Sequence, residues 1–271
     1  MKSSKNKTFF NLNTKKNHRT LFFFLLFYSI YCALTVGKSW DEGTHLKIGK
    51  SALDYLFSFG KVDSPGFYRE HYSPIYWSLK YLFTLIFPLK YQIEANHFIN
   101  LAFSFSAIIG IGKLSKELFN KEVGKIVFLI LFFYPAFFGH MAFNSKDMLL
   151  AFCNVWIFYL IIRYFKKQNI EEKRSSYIIS LAILSALATG LEFVFFGTLI
   201  PVFIFAVIEI FFFKKIIIRN FSNQKLYLDF LKIFAIFYFL LVLFWIDVHP
   251  NIFTLPFTFF LEHVSLVTGD L

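Results

Sequence analysis

The chain has 271 residues, of which 57% are hydrophobic and 42 are phenylalanine, and its mean hydropathy is +0.57. A single soluble core cannot bury that much apolar side chain. The composition therefore excludes a soluble globular protein and predicts an all-α, polytopic membrane protein. The net charge is +11, but the basic residues are grouped in a way that indicates membrane orientation, so no nucleic-acid partner is predicted.

Seven apolar runs follow one another along the chain, each near the length of about 20 residues that crosses roughly 30 Å of hydrocarbon. They lie at residues 20–37, 95–112, 125–142, 148–164, 176–190, 193–213 and 227–246. Residues 1–19 are strongly basic and form the predicted cytoplasmic N-terminus. The sequence thus predicts about seven transmembrane helices.

Basic residues are concentrated in four segments. Of the 28 Lys and Arg residues, 19 lie in residues 1–19, 113–125, 163–174 and 214–225. The positive-inside rule assigns these segments to the cytoplasm. Residues 247–271 contain three acidic residues and no Lys or Arg, which places them on the outer side. Seven crossings then bring the polar motifs KSWDEGTH, FNSKD, TGLEF and DVHPN to the same outer face.

An eighth apolar segment, residues 74–91, is not counted as a crossing. It is short, it carries Lys80 and Lys90, and Pro88 interrupts it, all of which favour a helix lying at the membrane surface. A full crossing would invert every later loop and place basic segments outside. The alternative, an ordinary transmembrane helix, stays open.

The long outer loop, residues 38–94, is predicted to contain two juxtamembrane helices at about 41–59 and 74–88. Ser39 is a candidate cap for the first helix, and acidic residues at its start suit the helix dipole. Leu46, Gly49, Leu53 and Leu56 would share one apolar stripe of this helix, while Asp41 and His45 share another face.

The segments WDEGTHLKIGKSALDYLFSFG, REHYSPIYWSLKYLF and YPAFFGHMAFNSKDMLLAFCNVWIFYLIIRYFKK occur in this order. Together they resemble the GT-C superfamily of membrane glycosyltransferases, in particular the bacterial relatives of dolichyl-phosphate-mannose protein mannosyltransferases. The resemblance covers about residues 39–250. It implies a transmembrane module over residues 20–250 and an outer-face segment over 251–271. Family members usually continue with further spans, so the chain is expected to be a fragment, a split protein or a minimal form.

The function that the resemblance implies is a hexosyltransferase-like glycosyltransferase at the outer face of the membrane. It would move a sugar from a polyprenyl-phosphate donor to a hydroxyl of a glycan, lipid or protein, in a bacterial inner membrane. The absence of glycine-rich phosphate loops and nucleotide-binding fingerprints fits a lipid-linked donor. The alternative is a non-catalytic membrane protein or a transporter that binds a lipid-linked sugar.

Five residues of the first outer loop are candidate site residues on this resemblance. Asp41 is the candidate general base, and Glu42 would position the acceptor or hold a divalent metal ion. His45 would orient Asp41 or bind a sugar or phosphate. Arg69 and His71 lie near a partly matched motif that opens the second juxtamembrane helix, and either would contact the lipid phosphate. The competing explanation is that the acidic pair only stabilises a helix N-terminus, and that the other three are solvated.

Lys146 and Asp147 form a second candidate site at the outer end of a predicted span. Lys146 would neutralise the leaving phosphate, and Asp147 would orient that phosphate or bind a metal. The alternative is a helix N-terminus with a snorkelling lysine. His140 is a further candidate for this cavity. Glu192 departs from the family pattern, because a carboxylate at this turn would repel a phosphate.

Overall fold

The structure is a computed structural model that describes residues 11–62, 73–167, 170–193, 195–208, 212 and 223–268. These residues form α-helices and two 3₁₀ helices, with no strand among them. The all-α prediction is confirmed. The helices are α1 (Asn11–Thr35), α2 (Glu42–Phe57), α3 (Ile75–Thr84), α4 (Gln92–Leu118), α5 (Lys121–Phe133), α6 (Pro135–His140), α7 (Ser145–Lys167), α8 (Glu171–Leu191), α9 (Phe195–Ile208), α10 (Asn223–Phe244) and α11 (Leu255–Thr268).

Four helices in the described ranges are long and apolar enough to cross a membrane. They correspond to α4 with the turn before it, α7, α8 and α10, and they match four of the seven predicted crossings. The first predicted crossing corresponds to a shorter apolar stretch of α1, Arg19–Thr35. The sixth corresponds to α9, and the part of this crossing beyond residue 208 lies outside the described residues apart from residue 212.

The third predicted crossing, residues 125–142, is divided into two helices. The helix α5 ends at Phe133, and α6 begins at Pro135. Tyr134 between them is extended, with φ −71° and ψ 113°, because a proline ring disfavours helical geometry in the residue before it. At about 1.5 Å per residue, neither piece alone spans roughly 30 Å of hydrocarbon. The prediction of one continuous crossing here was wrong.

The two predicted helices of the first long loop are present as α2 and α3. The ten residues of α3 cover only about 15 Å, so residues 74–91 do not form a single membrane-crossing helix. Gly49 lets α2 lie directly on α3, since a Cβ at this position would be 2.1 Å from the backbone oxygen of Trp77. After α2, the chain turns at Gly60, which has φ +78°, a conformation that glycine adopts without steric cost.

The helix α4 is central to the described structure. It packs against α1, α5 and α7, while α7 packs on α8 and α8 on α10. The short helices α2 and α3 contact each other, and α3 also contacts α4 and α8. This order of packing places α2 and α3 across the ends of α4 and α8.

Ionic contacts join helix ends far from α2 and α3. Glu117, near the end of α4, pairs with Arg163 and Lys166, near the end of α7. Arg174, at the start of α8, pairs with Asp229, at the start of α10. The predicted basic segments 113–125 and 163–174 therefore lie together at one end of the bundle.

The C-terminal region contains a helix that the sequence analysis did not predict. Residues 251–271 were assigned only as a segment at the outer face, whereas α11 occupies Leu255–Thr268. A 3₁₀ turn, Ile246–Asn251, separates it from α10. Trp245, at the end of α10, is fully buried and lies 5.8 Å from the ring of Phe259, so α11 folds back onto α10.

Candidate functional site

The four polar motifs meet at one end of the helix bundle. Glu42 of the first motif contacts the start of α4. Ser145 of the second contacts α3, and Lys146 beside it pairs with Glu192 of the third. In the fourth motif, the ring of His249 lies against α2. The prediction that these motifs share one face is confirmed, and the opposite end of the bundle carries the paired basic segments described above.

The adjacent carboxylates Asp41 and Glu42 lie in opposite environments. Asp41 precedes the first turn of α2, and its side chain is exposed and makes no capping hydrogen bond. Glu42 is fully buried. One carboxylate is therefore available to a substrate at the surface, whereas the other is part of the interior.

Glu42 connects three elements. Its Oε2 accepts a hydrogen bond of 2.7 Å from the backbone N–H of Ser39, and its Oε1 accepts one of 2.9 Å from the amide of Asn96. The Nε2 of His97 lies 2.8 Å from the same Oε1. The other ring nitrogen of His97 faces the carbonyl of Ala33 in α1 at 3.0 Å. Glu42 would have to release one of these partners to contact an acceptor or a metal.

Ser39 does not cap α2 as predicted, because the helix begins later, at Glu42. Its backbone N–H instead donates to the carboxylate of Glu42, three residues later, a contact that resembles one half of a capping box. Burial by itself would raise the pKa of Glu42, but hydrogen bonds from His97 and Ser39 hold that pKa below its usual range. Glu42 is thus an ionised, buried anchor of the helix start.

His45 lies one turn after Asp41. Its ring is stacked on the Trp77 indole, with centroids 3.8 Å apart and planes 5° apart, and its Nδ1 is buried with no hydrogen-bond partner. Burial and the nearby Lys80 lower the pKa of His45 to about 4, while Asp41 raises it. The imidazole is therefore neutral at pH 7, and it offers one ring nitrogen as an acceptor.

Lys80 is a buried cation that the sequence analysis assigned only to a surface helix. Its side chain is 2% exposed, and its ammonium donates to the hydroxyl of Ser145 at the start of α7. Burial lowers its pKa to about 7, although the charge of Glu42 opposes this change. A buried lysine of this kind is costly unless it has partners or a function.

A stripe of polar residues on α4 completes the buried part of the site. Asn100 accepts a hydrogen bond of 2.9 Å from the Tyr76 hydroxyl, and its amide donates to Ser145. Ser104 donates to the Met141 carbonyl. The sequence analysis missed these residues, although a signal existed: Asn96, Asn100 and Ser104 recur every four residues, which places them on one face of a helix.

Lys146 and Asp147 begin α7, as the sequence analysis expected. Lys146 forms an ion pair with Glu192, and their side chains are 36% and 21% exposed. Glu192 is thus neutralised by the cation that was predicted to meet a phosphate. Asp147 is exposed and accepts a 2.8 Å hydrogen bond from Asn144, whose amide also lies 3.3 Å from His140.

Two predicted site residues, Arg69 and His71, lie outside the described residues. Within the part of the chain that is described, no group of three or more His, Cys, Asp and Glu side chains is placed to hold a metal ion. His45 follows Asp41 by one turn and stacks on Trp77 of α3, while Lys80 of the same helix α3 donates to Ser145, the neighbour of Lys146.

Comparisons with known proteins give this chain no relative: no family model, no curated protein and no solved structure matches it. The resemblance to GT-C glycosyltransferases stays a prediction from the sequence.

Proposed function

We propose that the chain is a membrane glycosyltransferase that moves a sugar from a polyprenyl phosphate to an acceptor hydroxyl at the end of the bundle bearing α2 and α3. One observation carries the proposal. The helix α3 links the two candidate sites: its Trp77 stacks on His45, one turn after Asp41, and its Lys80 donates to Ser145, next to Lys146. A general base and a cation for a leaving phosphate thus occupy one small region.

In the proposed reaction, Asp41 takes the proton of the acceptor hydroxyl as its oxygen attacks the anomeric carbon. A new glycosidic bond forms, and the bond between the anomeric carbon and the phosphate oxygen breaks. The bonding electrons leave with the polyprenyl phosphate, and Lys146 stabilises the charge that develops there. Neutral His45 is suited to accept a hydrogen bond from a sugar hydroxyl.

The buried groups support this assignment by fixing the position of Asp41. Glu42 ties the start of α2 to α4 through Asn96 and His97. The backbone next to Asp41 is therefore held in place by the buried side chains of Glu42, Asn96 and His97. A positioned base is more effective than a mobile one, because the reacting atoms must approach to about 3 Å.

The ion pair between Lys146 and Glu192 gives the sharpest test. The purified chain in lipid nanodiscs is supplied with radiolabelled polyprenyl-phosphate sugars, and transfer and donor binding are measured together. Lys146→Ala should weaken both. The loss should persist in Lys146→Ala with Glu192→Gln, since removing the carboxylate does not replace the cation. Lys47→Ala, on the exposed face of α2, is the matched control.

Two outcomes contradict the proposal. If the double variant recovers full donor binding, Lys146 serves only as the counter-ion of Glu192. If the unmutated chain binds donors but transfers no sugar to any envelope extract, the chain is a non-catalytic binding protein.

A further inference from the structure

A cavity of about 330 Å³ lies between α1, α4 and α5, away from the candidate site. On α4 it is lined by residues between Ile109 and Lys116, near the end of the helix whose start holds Asn96 and His97. Lys113 follows His97 by 16 residues of helix, which corresponds to about 24 Å. The cavity therefore belongs to the opposite end of the bundle.

The residues that line this cavity are charged near the turn between α4 and α5 and apolar farther from it. Four lysines line the end nearest the turn between α4 and α5, which we call the mouth: Lys113 and Lys116 from α4, and Lys121 and Lys125 from α5. One turn deeper on each helix, the lining is apolar, with Ile109 on α4 and Phe128 and Leu129 on α5. From α1, Leu21, Phe22 and Leu25 close the side.

Glycines set the close approach of α4 and α5 beside the cavity. A Cβ on Gly124 would lie 2.6 Å from the backbone oxygen of Gly112, and one on Gly112 would lie 3.1 Å from that of Gly124. Both glycines line the cavity. The two helices touch at this point, and the larger side chains of α1 and α5 leave a slot beside them.

The charges at the mouth are only partly compensated. Lys125 pairs with Glu122 at 2.9 Å, and Lys113 lies over the Trp156 ring at 4.9 Å. Glu117, the other nearby carboxylate, is engaged by Arg163 and Lys166. Within the described ranges, Lys116 and Lys121 have no acidic partner, and both side chains are exposed. The mouth therefore has an excess of positive charge.

We infer that this cavity binds an anionic phospholipid of the adjacent leaflet, with the phosphate at the lysines and part of an acyl chain against Ile109 and Phe128. Basic residues above an apolar slot between helices complement both parts of such a lipid. A free phosphate ion would match only the mouth, since the depth of the cavity offers it no hydrogen-bond donor. The inference is independent of the proposed function, which concerns the other end of the bundle.

The test is native mass spectrometry of the full chain, delipidated in a neutral detergent and titrated with phosphatidylglycerol or phosphatidylcholine of identical acyl chains. Phosphatidylglycerol should bind more tightly. Lys116→Ala with Lys121→Ala should weaken it roughly 25-fold, at about fivefold for each lysine near an anionic headgroup. Both side chains are exposed, so this variant should fold. Lys47→Ala with Lys50→Ala, exposed on α2, removes the same charge at the other end and should change nothing.

Two further experiments distinguish binding of a phospholipid from binding of a free anion. Ile109→Trp fills the slot and should abolish binding of phosphatidylglycerol while leaving the lysines in place. Millimolar inorganic phosphate should not displace the lipid. Equal binding of the two lipids, an equal loss in the control variant, or full displacement by phosphate would each overturn the inference.

Discussion

Loss of charge should destabilise the fold at Glu42 and leave it almost unchanged at Asp41, the two carboxylates at the start of α2. Glu42 accepts from Ser39 and Asn96 and contacts His97. In Glu42→Gln, one carboxylate oxygen becomes an NH₂ group. Both oxygen positions face hydrogen-bond donors, so the NH₂ group meets a donor in either orientation of the amide. One buried group is then unsatisfied, so we expect the free energy of unfolding to fall by about 1–3 kcal/mol.

The assay is equilibrium unfolding in mixed micelles, followed by tryptophan fluorescence, for the unmutated chain and for both single variants. Asp41→Asn is the matched control. Because Asp41 is exposed and makes no capping bond, its free energy of unfolding should change by less than about 0.5 kcal/mol. Equal stabilities of Glu42→Gln and Asp41→Asn would refute the division of the pair into a buried anchor and an exposed base.

The pH dependence of the unfolding free energy gives a second readout of Glu42. The pKa of Glu42 is lowered in the folded protein, so its contribution to stability is fully present above its pKa in the unfolded chain, about 4.3. The contribution is lost as the pH falls through the lower folded value. The unmutated chain should lose stability steeply below about pH 4, and Glu42→Gln should lose less over the same interval.

Three further predictions concern other parts of the fold. Burial lowers the pKa of Lys80 from 10.5 to about 7. Between these pH values the unfolded state binds a proton that the folded state has released, so the unfolding free energy should rise with pH. Lys80→Met should abolish this slope. Gly49→Val should destabilise the chain by about 1–3 kcal/mol in the same unfolding assay, since its Cβ would meet the Trp77 carbonyl. A neutral result would contradict the close packing of α2 on α3. A reporter active only outside the cytoplasm should give signal at Asn144 and none at Asn120; the reverse would invert the predicted orientation.

The sequence predicted the long helices because each is a nearly continuous apolar run, a signal that depends on composition alone. The break at Pro135 was equally visible in the sequence, but the apolar count on both sides outweighed it in the assignment of one crossing. The helix α11 was missed because polar residues interrupt its apolar ones and it follows a region assigned to the outer face.

The candidate site was predicted less completely. Motif positions identified Asp41, His45 and Lys146, but not that Glu42 is buried while its neighbour is exposed, because that difference depends on how α2 docks on α4. The sequence analysis placed Lys80 on a short helix at the membrane surface. It is buried because α3 lies against Ser145 of α7, a contact between residues 65 positions apart that no local pattern encodes.

The most direct test of the central claim is single-turnover sugar transfer by Asp41→Asn compared with Asp54→Asn, an exposed carboxylate on the same helix. Donor is bound to saturation in both variants, and transfer to the acceptor is followed with the radiolabel. Loss of a general base should slow Asp41→Asn by roughly 10²–10⁴-fold with donor binding unchanged, while Asp54→Asn should match the unmutated chain. Equal rates for the two variants would contradict the assignment of Asp41 as the base.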